Sequence, residues 1–169
     1  MPPVVPICKP ISDDDLTRIR AVADYQFGAG AGEALFPEGL MVVKSRKTGK
    51  VKSIFLNGGL LATLKPSDGF FAMNIEGACR LAKALPIPRY RVIVMDDVLE
   101  FIKRGMNLFA KHVFSADPEI RPGEEVLITD SKDRVIAVGR AMLNGIEMKR
   151  FKIGLAVKVR RGEDKEEED

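Results

Sequence analysis

The chain has 169 residues, 46% apolar and 30% charged, a globular balance with room for one ordinary domain or two small ones. No stretch approaches the ~18 apolar residues of a membrane helix. The opening Met1-Pro-Pro-Val-Val-Pro lacks the basic and apolar regions of a secretory signal, so a cytoplasmic protein with no membrane partner is expected.

The net charge of +3 conceals an asymmetry. The last seven residues hold six acids against one lysine, so the rest of the chain carries +8. Residues 89–162 account for +5 of that, and residues 1–88 for +3. A basic body suits a polyanion, although a solvated basic surface would show the same composition. Cys8, Cys79 and His112 make three Cys or His residues, one short of the usual structural zinc set. Two buried or half-buried free thiols are expected, and nothing requires a disulfide.

In chain order, residues 1–11 are proline-rich and read as an extended arm. Ser12 followed by three aspartates is a helix start, and Leu16, Ile19, Ala23 and Phe27 give one apolar face up to Gly28. Gly28-Ala-Gly-Ala-Gly32 reads as a flexible loop. It is a poor phosphate cradle, because it follows a helix and no Gly-Lys-Ser/Thr comes after it. Residues 40–44 and 51–56 are β-like around a basic hairpin tip, Arg46-Lys-Thr-Gly49. Residues 60–64 and 70–73 complete a four-stranded meander, and Asn74 begins a helix over 75–85 that Pro86 stops.

Past residues 86–88 the pattern changes. Residues 91–95 read as a strand. A short helix follows with Val98, Phe101 and Ile102 inward and Gly105 at its end. Strands are expected at 108–114, 125–129, 135–142 and 155–160. Such short strands at turn-separated spacing suggest a small closed or half-closed barrel. Residues 163–169 are too acidic to pack and read as a disordered tail.

The second half also carries an ordered series of short motifs. Val92-Ile-Val-Met95 leads to a helix ending Lys103-Arg104-Gly105. Phe109-Ala-Lys-His-Val113 and Ile120-Arg-Pro-Gly-Glu-Glu-Val126 come next. Val135-Ile-Ala-Val-Gly-Arg140, Glu147-Met148 and Gly154-Leu-Ala-Val-Lys158 complete it. In this order and spacing, residues 89–162 resemble a PUA domain, an RNA-binding module. In the first half the pieces are Ala23-Asp-Tyr-Gln-Phe-Gly28, Gly30-Ala-Gly32, Leu35-Phe-Pro37, Ser45-Arg-Lys-Thr-Gly49 and Gly77-Ala78. They resemble the domain just before the PUA module in archaeal tRNA-guanine transglycosylase, the archaeosine enzyme. The resemblance implies an α+β N-terminal domain over 12–88, an antiparallel meander with flanking helices. A mainly-β PUA-like pseudo-barrel with one or two short helices follows over 89–162. It also implies a grip on tRNA or another structured RNA stem.

The sequence departs from the full enzyme in lacking the catalytic barrel and its zinc ligands. The expectation is therefore a non-catalytic RNA-binding protein that assists RNA modification, with no cofactor, metal or catalytic residue. A free-standing relative, a subunit of a split transglycosylase docking a catalytic tRNA-modification partner, and a ribosome-assembly adaptor all remain open. A cryptic enzyme site around Asp24, Glu33 and Cys79 is a weaker alternative, because no base–nucleophile pair is visible.

Gripping an RNA stem needs cations at defined spacing and backbone that can come close. Within the PUA-like frame the candidates are Lys103, Arg104, Gly105, Lys111, Arg140, Lys149, Arg150, Lys152, Lys158 and Arg160. Strand alternation puts Lys158 and Arg160 on one solvent face, with Val157 and Val159 opposite. Lys149, Arg150 and Lys152 read as an exposed basic loop. His112 reads as a surface or half-buried side chain, and Asp24 and Tyr25 as residues that orient a helix end.

Overall fold

A computed structural model describes residues 7–164. The chain divides into two compact units, residues 1–84 and 85–169.

In the first unit, α1 spans Asp13–Phe27, and Ser12 Oγ accepts a hydrogen bond from Asp15 N–H at 3.2 Å, the expected cap. Leu16, Ile19, Ala23 and Phe27 form its buried face, as their spacing requires. Behind α1 lies an antiparallel sheet of β1 (Cys8–Pro10), β2 (Met41–Lys44), β3 (Val51–Leu56), β4 (Gly59–Leu64) and β5 (Phe71–Met73), paired in that order. The expected meander is therefore present, with one strand added. Residues 8–10 pair with β2 rather than trailing as an arm, and residues 1–6 lie outside the described residues. Cys8 is exposed, not buried, and Cys79 on α3 (Ile75–Ala84) is half-buried.

The glycine-rich segment departs from expectation. Residues 31–35 form a second helix, α2 (Ala31–Leu35). The reason is close approach: a Cβ at Gly32 would lie 2.3 Å from the Arg20 carbonyl oxygen. Gly32 N–H also donates to Asp24 Oδ1 at 2.7 Å, which gives Asp24 its role at the helix end. Tyr25, by contrast, is exposed and stacks on Phe70 with ring centroids 6.0 Å apart. One residue along, Gln26 bonds the β5 backbone twice. Its Nε2 donates to Phe71 O at 3.0 Å and its Oε1 accepts from Phe71 N–H at 2.8 Å.

The second unit is a six-stranded, nearly closed mixed sheet, a pseudo-barrel. Its strands are β6 (Arg91–Val94), β7 (Leu108–Phe109), β8 (Val113–Ala116), β9 (Glu125–Thr129), β10 (Val135–Ala141) and β11 (Leu155–Gly162). The order is β7-β11-β10-β9-β6-β8, with β6 and β9 parallel and the other pairs antiparallel. The core holds Val92, Val94, Ile102, Leu108, Val126, Ile128, Ile136, Met148 and Val157, all but excluded from solvent.

Three expectations for this unit need correction. The strand over 108–114 is two strands separated by a 3-10 turn, Ala110–His112. β7 and β8 are the two ends of the strand order, which the near closure of the sheet brings together, so a three-residue turn joins them. The helix near residue 100 begins as a 3-10 turn (Asp96–Val98) before α4 (Leu99–Lys103). That changes its phase, so Val98 and Ile102 are buried while Phe101 is 50% exposed. Finally, Lys149 and Arg150 lie not in a loop but on α5 (Gly145–Arg150), started by a reciprocal capping box between Asn144 and Glu147. The ordered backbone continues past Gly162. Glu163 N–H donates to Ile136 O at 2.8 Å and Asp164 N–H to Lys103 O at 2.9 Å. The rest of the expected tail, residues 165–169, lies outside the described residues.

A buried arginine ties the start of this unit together. Arg91 is 1% exposed, and its Nε and Nη2 reach the two carboxylate oxygens of Asp133 at 2.9 and 3.1 Å. Its Nη1 donates to the Leu85 and Arg89 carbonyls at 3.0 and 3.2 Å. The guanidinium is thus fully used inside the fold, which is what makes a buried charge tolerable.

Candidate nucleic-acid interface

The candidate cations of the second unit are organised along β11. Eight extended residues span about 23 Å. At the N-terminal end of β11, Leu155 pairs with Phe109, and Ala110 N–H donates to Gly154 O at 2.9 Å. Lys111 sits in the adjoining 3-10 turn, and Lys149, Arg150 and Lys152 lie on α5 and the link from it into β11; all four are exposed.

Midway along, Lys158 stands directly opposite Arg140 on β10, and Arg140 in turn faces Glu125 on β9. Lys158 and Arg140 are both exposed, and neither has a carboxylate partner among the described residues. Like charges facing each other across strands cost roughly 0.2–1 kcal/mol. At the far end, Gly162 packs against the turn after α4. A Cβ there would lie 2.1 Å from Lys103 O and 2.6 Å from Gly105 N. Gly105 has φ +93°, the left-handed backbone that ends α4. Arg104 is exposed beside it, while Lys103 is mostly covered and bonds Glu100 at 3.4 Å.

Arg160 differs from the others. β11 carries a bulge here: Val138 pairs with Arg161 and Gly139 with Val159, leaving Arg160 as the extra residue. Lys158 and Arg160 are both exposed, as strand alternation sets them, with Val157 buried and Val159 half-buried. Arg160, however, reaches Glu125, bonding Oε2 through Nη1 at 2.8 Å and Oε1 through Nη2. Glu125 is almost wholly buried, so this cation is committed to the fold. His112 is half-buried in its turn.

Sequence reasoning overlooked the aromatic component. Phe109 is 48% exposed and Phe151 45%, both at the Lys111 and Lys152 end of β11. The available signal was the adjacency of exposed rings and cations in Phe109-Ala-Lys111 and Phe151-Lys152. Unstacked bases pack on such rings while neighbouring cations meet the backbone. Among the described residues no group of three or more His, Cys, Asp and Glu is placed to hold a metal ion.

Comparison with known proteins agrees with this architecture. Residues 90–162 match the PUA domain, and residues 17–88 match the patch-forming domain C2 of tRNA-guanine transglycosylase. The chain is a PUA-domain protein. More closely, it belongs with the C2–PUA pair found in the C-terminal region of archaeal tRNA-guanine transglycosylases. It is 48% identical over 157 residues to the tRNA-guanine(15) transglycosylase of Thermococcus kodakarensis, covering 93% of this chain and 27% of that protein. For the Methanothermobacter thermautotrophicus protein of the same name the identity is 43% over 149 residues, covering 88% of this chain and 23% of that one. The chain thus spans about a quarter of the length of these curated relatives. A hypothetical protein from Pyrococcus horikoshii has the same fold, with TM-score 0.73, 23% identity and coverage of 94% of this chain and 95% of that one. So does a conserved PUA domain protein from Thermoplasma acidophilum, with TM-score 0.69, 23% identity and coverage of 95% and 96%. No described helix is long and apolar enough to cross a membrane.

Proposed function

We propose that this chain is a non-catalytic, cytoplasmic RNA-binding protein that grips tRNA through the β11 face of its PUA domain and assists tRNA modification. The carrying observation is the Arg140–Lys158 pair. Two exposed cations face each other across neighbouring strands with no carboxylate between them. Lys158 faces only this like charge on β10, whereas Arg140 also has Glu125 opposite it on β9, and a phosphate backbone would attract both cations. Arg104, Lys111, Lys149, Arg150 and Lys152 extend the cationic surface to both ends of β11, with Lys103 and Gly105 forming the turn at one end. Phe109 and Phe151 offer rings to unpaired bases. Arg160 supports the surface from below through Glu125.

The relatives' name supports tRNA as the RNA. The matched region is their C2 and PUA part, which supports a binding role for this chain and a catalytic partner supplying the chemistry. The test is a binding titration on a tRNA transcript at rising KCl. Each phosphate contact contributes a slope of about −0.7 to −0.9 in log K against log salt. A slope between about −3 and −6 is expected, and affinity independent of salt would falsify the proposal.

A further inference from the structure

The end of β11 is where the charge of the chain changes sign. Residues 163–169 read Glu-Asp-Lys-Glu-Glu-Glu-Asp, six acids and one base, directly after Lys158-Val-Arg-Arg-Gly162. Two backbone hydrogen bonds fix the point at which this acidic segment departs. Glu163 N–H donates to Ile136 O on β10 at 2.8 Å, and Asp164 N–H donates to Lys103 O at the end of α4 at 2.9 Å. Gly162 permits that approach, because a Cβ there would collide with the Lys103 carbonyl. The chain therefore leaves the barrel with the α4 turn on one side and the β9–β10 turn on the other.

Both turns carry cations. Lys103 and Arg104 end α4, and Lys132 and Arg134 stand in the β9–β10 turn, which enters β10 one residue before Ile136. Two of the four are engaged, Lys103 with Glu100 and Arg134 with Asp130, each at 3.4 Å. The other acid of the β9–β10 turn, Asp133, is taken by Arg91. The carboxylates of α4 and of this turn are thus committed, and two cations are left over. Arg104 and Lys132 are exposed and have no ion pair among the described residues.

We infer that residues 165–169 fold back over these cations, Arg104 and Lys132 foremost, and occupy the α4 end of the PUA face until RNA phosphates displace them. The inference rests on the RNA-binding reading and adds an internal competitor to it. Reach, sign and strength select this occupant. Five extended residues span about 16 Å from Asp164. Arg104 adjoins the very residue that Asp164 bonds, and Lys132 is four residues from Ile136, at most about 14 Å of backbone. Glu166, Glu167, Glu168 and Asp169 supply four carboxylates against two uncompensated cations. The covalent tether makes the contact intramolecular, so a weak attraction suffices to populate it. Exposed ion pairs are individually weak, which suits a competitor that a longer run of phosphates must be able to remove.

The experiment compares the full chain with the chain truncated after Asp164, each with and without Arg104→Ala/Lys132→Ala. All four are titrated with a fluorescently labelled tRNA transcript over a KCl series. Truncation should tighten binding about three- to tenfold at roughly 0.05 M KCl, and the gain should fade towards about 0.5 M as the Debye length shrinks to a few Å. In the Arg104→Ala/Lys132→Ala background the gain should fall below about twofold, because the docking partners are gone. Carbodiimide coupling of the full chain without RNA should join a peptide carrying residues 166–169 to Lys132 or Lys103, and saturating tRNA should abolish that product. An equal gain on truncation in both backgrounds, with no such cross-link, makes the segment a diffuse repulsive charge and overturns the inference. Truncation without effect on a chain that binds tRNA also overturns it and leaves the RNA-binding reading standing. A full chain that binds no tRNA at any salt removes that reading and the competition together.

Discussion

Arg160 crosses β10 to hold Glu125 by both carboxylate oxygens, and the carboxylate it holds is only 2% exposed. Arg160→Ala would leave that carboxylate buried without its partner. Breaking a fully buried pair costs about 3–5 kcal/mol. Arg160 is itself 39% exposed, so solvent relieves part of the loss and about 1–3 kcal/mol is expected. Urea unfolding would measure it. The salt slope of tRNA binding should change by less than one unit. Unaltered stability with a full unit lost from the slope would instead place Arg160 on the RNA.

The opposed cations Arg140 and Lys158 should behave the other way round. Each replaced by alanine should lower the salt slope by about 1 and weaken binding several-fold at 0.1 M KCl. For Lys158→Ala stability should stay level or rise by up to roughly 1 kcal/mol as the cross-strand repulsion is removed, while Arg140→Ala also loses the attraction to Glu125 opposite it and should gain less. Thermal unfolding read beside binding separates this outcome from general damage, which would lower both.

Gly162 joins the end of β11 to the turn carrying Lys103, Arg104 and Gly105. In Gly162→Ala the new methyl would fall 2.1 Å from Lys103 O, so one of the two backbones must move. Overpacking of this kind costs about 1–3 kcal/mol. We expect that loss by denaturation, together with weaker tRNA binding as the turn shifts. An alanine variant with wild-type stability would show that the two segments are not tightly fitted.

The Lys44 hydrogen bond holds the Asp15 carboxyl below its usual value near 3.8, with Ser12 contributing in the same direction and burial opposing both. A depressed carboxylate pKa adds stability above the unfolded-state value, and that stability is lost as pH falls through the folded value. Asp15→Asn should therefore be less stable than wild type at pH 7, by no more than about 1 kcal/mol for so exposed a partner. The difference should close on acidification below roughly pH 4. A gap that stays constant from pH 7 into the acid range would remove the pair as its cause.

What the sequence disclosed depended on the range of the interaction that decides each feature. The apolar stripe of α1 and its Ser12 cap are set within a few residues, so periodicity and capping chemistry found them. The split between β7 and β8 was not legible, because it depends on which distant strands accept each half. The short helix α5 has no apolar repeat long enough to detect, although Asn144 and Glu147 carried its start signal. Gly32 looked like a source of mobility, and only the Arg20 backbone beside it shows that it serves packing. The cations of the second unit could be named from sequence. The commitment of Arg160 to Glu125 depends on a bulge and on a strand 35 residues away, neither of which alternation can reveal.

The two bonds from Gln26 to Phe71 fall on β5, the last strand of its sheet. An outermost strand normally offers free N–H and C=O groups that can recruit another polypeptide. Here a helix side chain occupies that position, with one amide standing in for the missing neighbour. Gln26→Ala would uncover the ladder, and the first consequence to look for is self-association at high concentration rather than loss of RNA affinity.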